Sequence, residues 1–158
     1  MSDTHSYLDK EIFRYFEKCD EIWHAGDFGN AALADELASF KPLKGVYGNI
    51  DGQDVRTRFA EVERWHCEEV DVLMKHIGGY PGRYAPGIKQ LMQEKAPALF
   101  ISGHSHILKI IFDEQYNCLH INPGACGKEG WHKVRTLVRF SIDGKKIADC
   151  EVIVLGKR

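Results

Sequence analysis

Short apolar runs in this chain stop, one after another, at residues able to bind a metal ion. Glu21-Ile22-Trp23-His24-Ala25 runs into Gly26-Asp27, and Gly45-Val46-Tyr47 into Gly48-Asn49. Val70 to Met74 runs into Lys75-His76, and Ala98-Leu99-Phe100-Ile101 into Ser102-Gly103-His104-Ser105-His106. Asp3-Thr4-His5 has the same character but opens the chain with no run before it. Runs this short suit buried strands. Strands that end together at one sheet edge would gather Asp3, His5, Asp27, Asn49, His76, His104 and His106 in a small volume. That donor set is the signature of a two-metal hydrolase.

The intervening segments say how such strands connect. Leu8, Ile12, Phe13 and Phe16 fall at helical spacing, so residues 7–18 read as an amphipathic helix. A strand over 21–25, a helix over 31–39 ended by Pro42, and a strand over 43–47 follow. Alternating strand and helix imply a parallel sheet with crossover helices. The later pattern differs. Residues 59–67 and 70–74 read as a hairpin, 78–82 as a loop, 86–94 as a helix and 98–102 as a strand. Two further hairpins follow, 107–112 with 118–121 and 136–142 with 146–155, the second turning at Asp143-Gly144. The expected fold class is α/β, with two stacked mixed β-sheets flanked by helices in one domain over residues 1–158.

Bulk properties narrow the partners. The formal net charge is −2 and the Lys and Arg residues are scattered, which argues against duplex nucleic acid though not against a nucleotide substrate. The five cysteines (Cys19, Cys67, Cys118, Cys126, Cys150) show no C-x-x-C spacing, as expected of reduced thiols in a cytoplasm. No apolar stretch approaches the roughly 20 residues that span a bilayer. The N-terminus does not read as a signal peptide. A cytoplasmic location, no membrane association and an open oligomeric state are the expectations.

Mixed carboxylate, amide and imidazole ligands suit borderline divalent ions, and the absence of thiolate argues against a structural zinc site. Two ions about 3.5–4 Å apart can bind both oxygens of a phosphoryl group and acidify a water, so no protein nucleophile is required. Asp27 is a natural bridge between them. Gly26, Gly48 and Gly103 each precede a ligand where the chain must bend close to other backbones.

Asp3-x-His5, Gly26-Asp27, Gly48-Asn49-x-Asp51, His76 and Gly103-His104-x-His106, in this order, resemble the calcineurin-like metallophosphoesterases. The short length, Ser2-Asp3-Thr4-His5 and Ile121-Asn122-Pro123-Gly124 look most like the small YfcE-like phosphodiesterase subgroup. The resemblance implies a first metal on Asp3, His5, Asp27 and His106, and a second on Asp27, Asn49, His76 and His104. It implies catalysis by metal-bound hydroxide, with His76 and His104 around the developing charge and Asp51 orienting water or a neighbouring group. Manganese is the first expectation for both ions, with zinc, iron, nickel or cobalt as alternatives. The expected substrate is a small phosphodiester, nucleotide-derived ones included.

Two positions depart from that pattern. Ile50 stands where many members carry a leaving-group histidine. Only Met1 precedes Ser2, where members have an apolar central strand. The chain therefore reads as truncated or mis-started, with Asp3 and His5 on a terminus prone to fray and a weaker first metal. A second class stays open: a scaffold of the same fold, like the small subunit of the retromer coat. His24 reads as structural, while Lys128, His132 and Arg135 are either phosphate clamps or parts of a solvated loop.

Overall fold

A computed structural model describes residues 1–158. Its first half alternates as expected: helix α1 (Glu11–Phe16), strand β1 (Ile22–His24), helix α2 (Ala31–Phe40), strand β2 (Leu43–Gly45) and a short helix α3 (Gln53–Arg56). β1 and β2 pair in parallel, Ile22 opposite Leu43 and His24 opposite Gly45, and α2 is the crossover that parallel strands need. Asn30 starts α2 by accepting the Leu33 N–H at 2.9 Å from an extended backbone. Lys41, just before Pro42, is already extended and ends it.

Hairpins then dominate: β3 (Val62–Cys67), β4 (Val70–Lys75), β5 (Gly79–Tyr80), β6 (Arg83–Tyr84), helix α4 (Pro86–Lys95), β7 (Leu99–Ile101), β8 (Leu108–Asp113), β9 (Cys118–Pro123), β10 (Val134–Asp143) and β11 (Lys146–Lys157). Five of these strands form one mixed sheet in the order β3-β4-β7-β9-β8. Its inner pairs, β4 with β7 and β7 with β9, are parallel. The pairs β1–β2 and β10–β11 make the facing layer. Val70, Val72 and Met74 alternate along β4 and pack against Ala25, Val46 and Val138 of that layer. Leu73, between them, turns the other way onto Ile88 and Met92 of α4. β4 is thus buried on both faces, which is why its sequence is almost continuously apolar. On the far side Ile12 and Phe16 of α1 and Leu33 and Leu37 of α2 cover Ile22, Leu137 and Ile153. The result is the expected pair of stacked sheets with helices outside.

No strand forms ahead of Asp3, yet this station does not fray. Ser2, Asp3 and Thr4 are fully buried. On one side Ala25 N–H donates to Met1 C=O and Asp3 N–H to Gly26 C=O, each at 3.0 Å. On the other, Cys126 N–H and Gly127 N–H donate to Ser2 C=O and Asp3 C=O at the same distance. Pairing on both sides replaces the expected loose terminus with a fixed one. The Met1 ammonium donates to Trp23 C=O at 2.8 Å, and burial depresses its pKa. Met1 also borders a cleft of about 780 Å³ between β1 and β10, lined by Trp23, Val138 and Phe140.

Three local expectations are corrected. α1 is shorter than 7–18, because Asp9 accepts the Glu11 N–H at 3.1 Å and pairs with Arg135, pinning the chain before the helix. The 78–82 loop closes into the small β5–β6 hairpin, Tyr80 opposite Arg83 around Pro81-Gly82. α3, which no apolar periodicity in the sequence marks, begins just after Asp51 and Gly52.

Candidate metal centre

β1, β2, β4 and β7 all end at one edge, each handing its next polar residues to the same space, as open α/β sheets do at the carboxyl ends of their strands. Asp3, His5 and His106 form one group there, and Asp27, His76 and His104 another; within each, the ligand atoms lie within 4.8 Å of one another. Asn49 joins the second group, its Oδ1 lying 3.1 Å from His76 Nε2. Asp27 stands between them. Its Oδ2 is 3.5 Å from His5 Nε2 and 3.2 Å from His76 Nε2, while its Oδ1 accepts the Ile50 N–H at 3.1 Å. One carboxylate oxygen therefore faces a ligand of each group.

The backbone is bent to achieve this. Nine non-glycine residues have positive φ, and five of them are Asp3, His5, Asp27, His104 and His106. Such conformations cost of order 1–3 kcal/mol each and cluster where function over-determines them. Two glycines make the close approaches possible. A Cβ at Gly48 would overlap the Asp27 carboxylate, and one at Gly103 would overlap the Ser2 hydroxyl.

Charges in the site are mutually balanced. Burial works to raise the Asp27 pKa, but its hydrogen bond to His76, aided by the Ile50 N–H and His5, holds the carboxyl below the usual range. Burial likewise opposes protonation of His76, and Asp27 and Asp3 overcome it and raise its pKa. The Asp3 hydrogen bond raises that of His106. Burial, then the His76 charge, lowers that of His104. The buried carboxylates thus favour positive charge on His76 and His106, at the positions where cations would supply it. His5 Nε2 is buried with no hydrogen-bond partner, and an orphaned ring nitrogen facing carboxylates fits a cation ligand. His76 Nδ1 donates to Ala25 C=O at 2.7 Å, which leaves Nε2 to ligate. The mixed O and N donor set fits borderline divalent ions.

Residues 1–145 match the model of the calcineurin-like phosphoesterase superfamily domain. The chain belongs to that superfamily. It is 28% identical over 165 residues to a probable metallophosphoesterase of Methanothermobacter thermautotrophicus, a match covering 99% of this chain and 91% of the relative. A phosphodiesterase of Methanocaldococcus jannaschii is 28% identical over 142 residues, covering 80% of this chain and 81% of that protein. Among solved structures, a novel archaeal phosphodiesterase shares the fold with a TM-score of 0.79 at 20% identity, covering 98% of this chain and 97% of the other. Vps29 of Entamoeba histolytica complexed with Zn²⁺ shares it with a TM-score of 0.72 at 15% identity, covering 97% and 96%. No helix is long and apolar enough to cross a membrane.

All seven ligand candidates read from the sequence come together at this sheet edge; Asp51 does not reach it with a free oxygen. Its oxygens accept the Gly29 and Gly48 N–H groups, each at 2.7 Å, so it fixes the turn that carries Asn49. Arg56, which the sequence reading missed along with α3, holds the same turn by donating to Asp51 C=O, Gly48 C=O and Asn49 C=O. His24 is structural: it accepts the Gly26 N–H, bonds Thr4 Oγ1 at 3.0 Å and stacks on Phe28. His120 is buried against Ser102. Arg135 is no phosphate clamp, being spent on Asp9 and the carbonyls of Leu155 and Lys157. Lys128 lies over the Tyr7 ring at 4.3 Å. His132 approaches the site through His106, which spacing alone did not reveal.

Proposed function

We propose that this chain hydrolyses small phosphodiesters with two divalent cations. Asp3, His5, Asp27 and His106 would hold one, and Asp27, Asn49, His76 and His104 the other. When bound, the pair would polarise the phosphoryl oxygens and acidify the attacking water. The observation that carries this reading is the single Asp27 oxygen facing both groups of ligands. His104, exposed like Asn49, is available at the mouth to stabilise developing charge. A cavity of about 260 Å³ lined by Tyr47, Asn49, Arg56, Glu61, Lys75 and His76 adjoins the second group and suits a small leaving group, nucleotide-derived ones included. Ile50 is 45% exposed beside it and offers no proton. General acid help is typically worth 10²–10⁴-fold, so substrates with good leaving groups should turn over fastest. Manganese is the proposed ion, and five free cysteines support a reducing, cytoplasmic setting.

Hydrolysis of a bis-aryl phosphate with Mn²⁺ tests this. Removing His104 (His104→Ala) should lower kcat by about 10²-fold or more, the usual cost of losing one stabiliser of developing charge. A rival reading, a protein-docking scaffold, draws support from the edge strand β8, where Ile110, Ile111 and Phe112 are exposed. No turnover with any divalent ion, or turnover indifferent to His104→Ala, would favour the scaffold.

A further inference from the structure

The loop between β9 and β10 brings His132 against a metal ligand. His132 Nδ1 lies 3.2 Å from His106 Nδ1, and its Nε2 lies 3.0 Å from Gly127 C=O. A carbonyl only accepts, so His132 carries its proton on Nε2 and offers a lone pair at Nδ1. His106 must then donate from Nδ1. That frees His106 Nε2, which faces Asp3 Oδ1 at 3.2 Å, to bind a cation. The loop is shaped for this contact. Gly130 sits at φ +108°, and a Cβ there would overlap the His106 ring. Arg158 ties the loop down from the C-terminus, its guanidinium donating to Gly130 C=O and its N–H to Lys133 C=O. The two imidazoles meet edge to face, with centroids 5.1 Å apart.

We infer that His132 is a positioning residue for the first cation site. By accepting the His106 Nδ1–H, it sets the tautomer and ring plane that turn Nε2 toward Asp3. This rests on the reading that Asp3, His5, Asp27 and His106 hold a cation. Ligating histidines ordinarily give their second N–H to a carboxylate, a carbonyl or water, as His76 gives its own to Ala25 C=O. Here a second imidazole takes that role, and residues from the end of the chain complete a site begun by Asp3.

Asn and Leu have nearly the same shape, but only Asn keeps an acceptor near the Nδ1 position. Calorimetric titration with Zn²⁺ should show one of two sites weakened 10–100-fold in His132→Leu, with most of that loss restored in His132→Asn. Long-range ¹H–¹⁵N spectra of the wild type should show His106 protonated on Nδ1, both with Zn²⁺ and without it at alkaline pH. Unchanged Zn²⁺ affinity in the Leu variant, equal losses in both variants, or an Nε2-protonated His106 would overturn the inference. Absence of Zn²⁺ binding by the wild type would sink the two-cation reading instead, leaving the metal-free ring spectrum to decide the tautomer. The same spectrum decides the matter should the variants fail to fold.

Discussion

Asp51 shares the turn with Asn49, yet both of its oxygens are spoken for by Gly29 and Gly48 N–H groups. Replacing it with Asn would point an N–H at one of those donors, and a buried unsatisfied group costs about 1–3 kcal/mol. Asp51→Asn should therefore lower stability to urea by that amount while every limb of the pH dependence of kcat/KM survives. A missing limb would assign Asp51 a proton in the reaction. Residue identity was enough to pick out the seven candidates that the fold brings together, because all but Asp3 and His5 follow a run whose end is marked by glycine or polarity. It was not enough for His132, Arg56 or Asp51. Their partners lie across the fold or on the backbone, and a side chain's spare lone pair has no signature in spacing.

Elements were legible wherever burial dictates the pattern. β4 and β7 are buried on both faces and read as apolar runs; α2 has a capping Asn30 and a stopping Pro42. α1 misled because Leu8, Ile12, Phe13 and Phe16 keep helical spacing, while Asp9 diverts the chain to Arg135 on β10 at 2.8 Å. That pair ties the segment before α1 to the last hairpin. The Arg135 hydrogen bond holds the Asp9 carboxyl below its ordinary range, ahead of an opposing effect of burial. Its stabilisation is complete above the unfolded value near 3.9 and is lost as pH falls through the folded pKa. Calorimetric Tm should accordingly fall more steeply below about pH 4 in the wild type than in Asp9→Asn. Parallel slopes would show that the pair contributes nothing.

At the scale of the molecule, two sheets bring together segments more than a hundred residues apart, so that His104 N–H donates to both oxygens of Asp3. The sequence predicts the layering through its change from alternating strand and helix to hairpins. It could not show that four residues, Met1 to Thr4, are gripped on both sides, because pairing with residues 25–26 and 126–127 depends on the closed sandwich. With each candidate group anchored by a buried carboxylate, Asp3 in one and Asp27 in the other, neither should be empty when cations are supplied. Anomalous diffraction from crystals grown with Mn²⁺ tests this most directly. The expected result is two peaks flanking Asp27 Oδ2, roughly 3.5–4 Å apart, one against His5 and His106 and the other against His76 and His104. A single peak, or none beside Asp27, would contradict the two-cation centre.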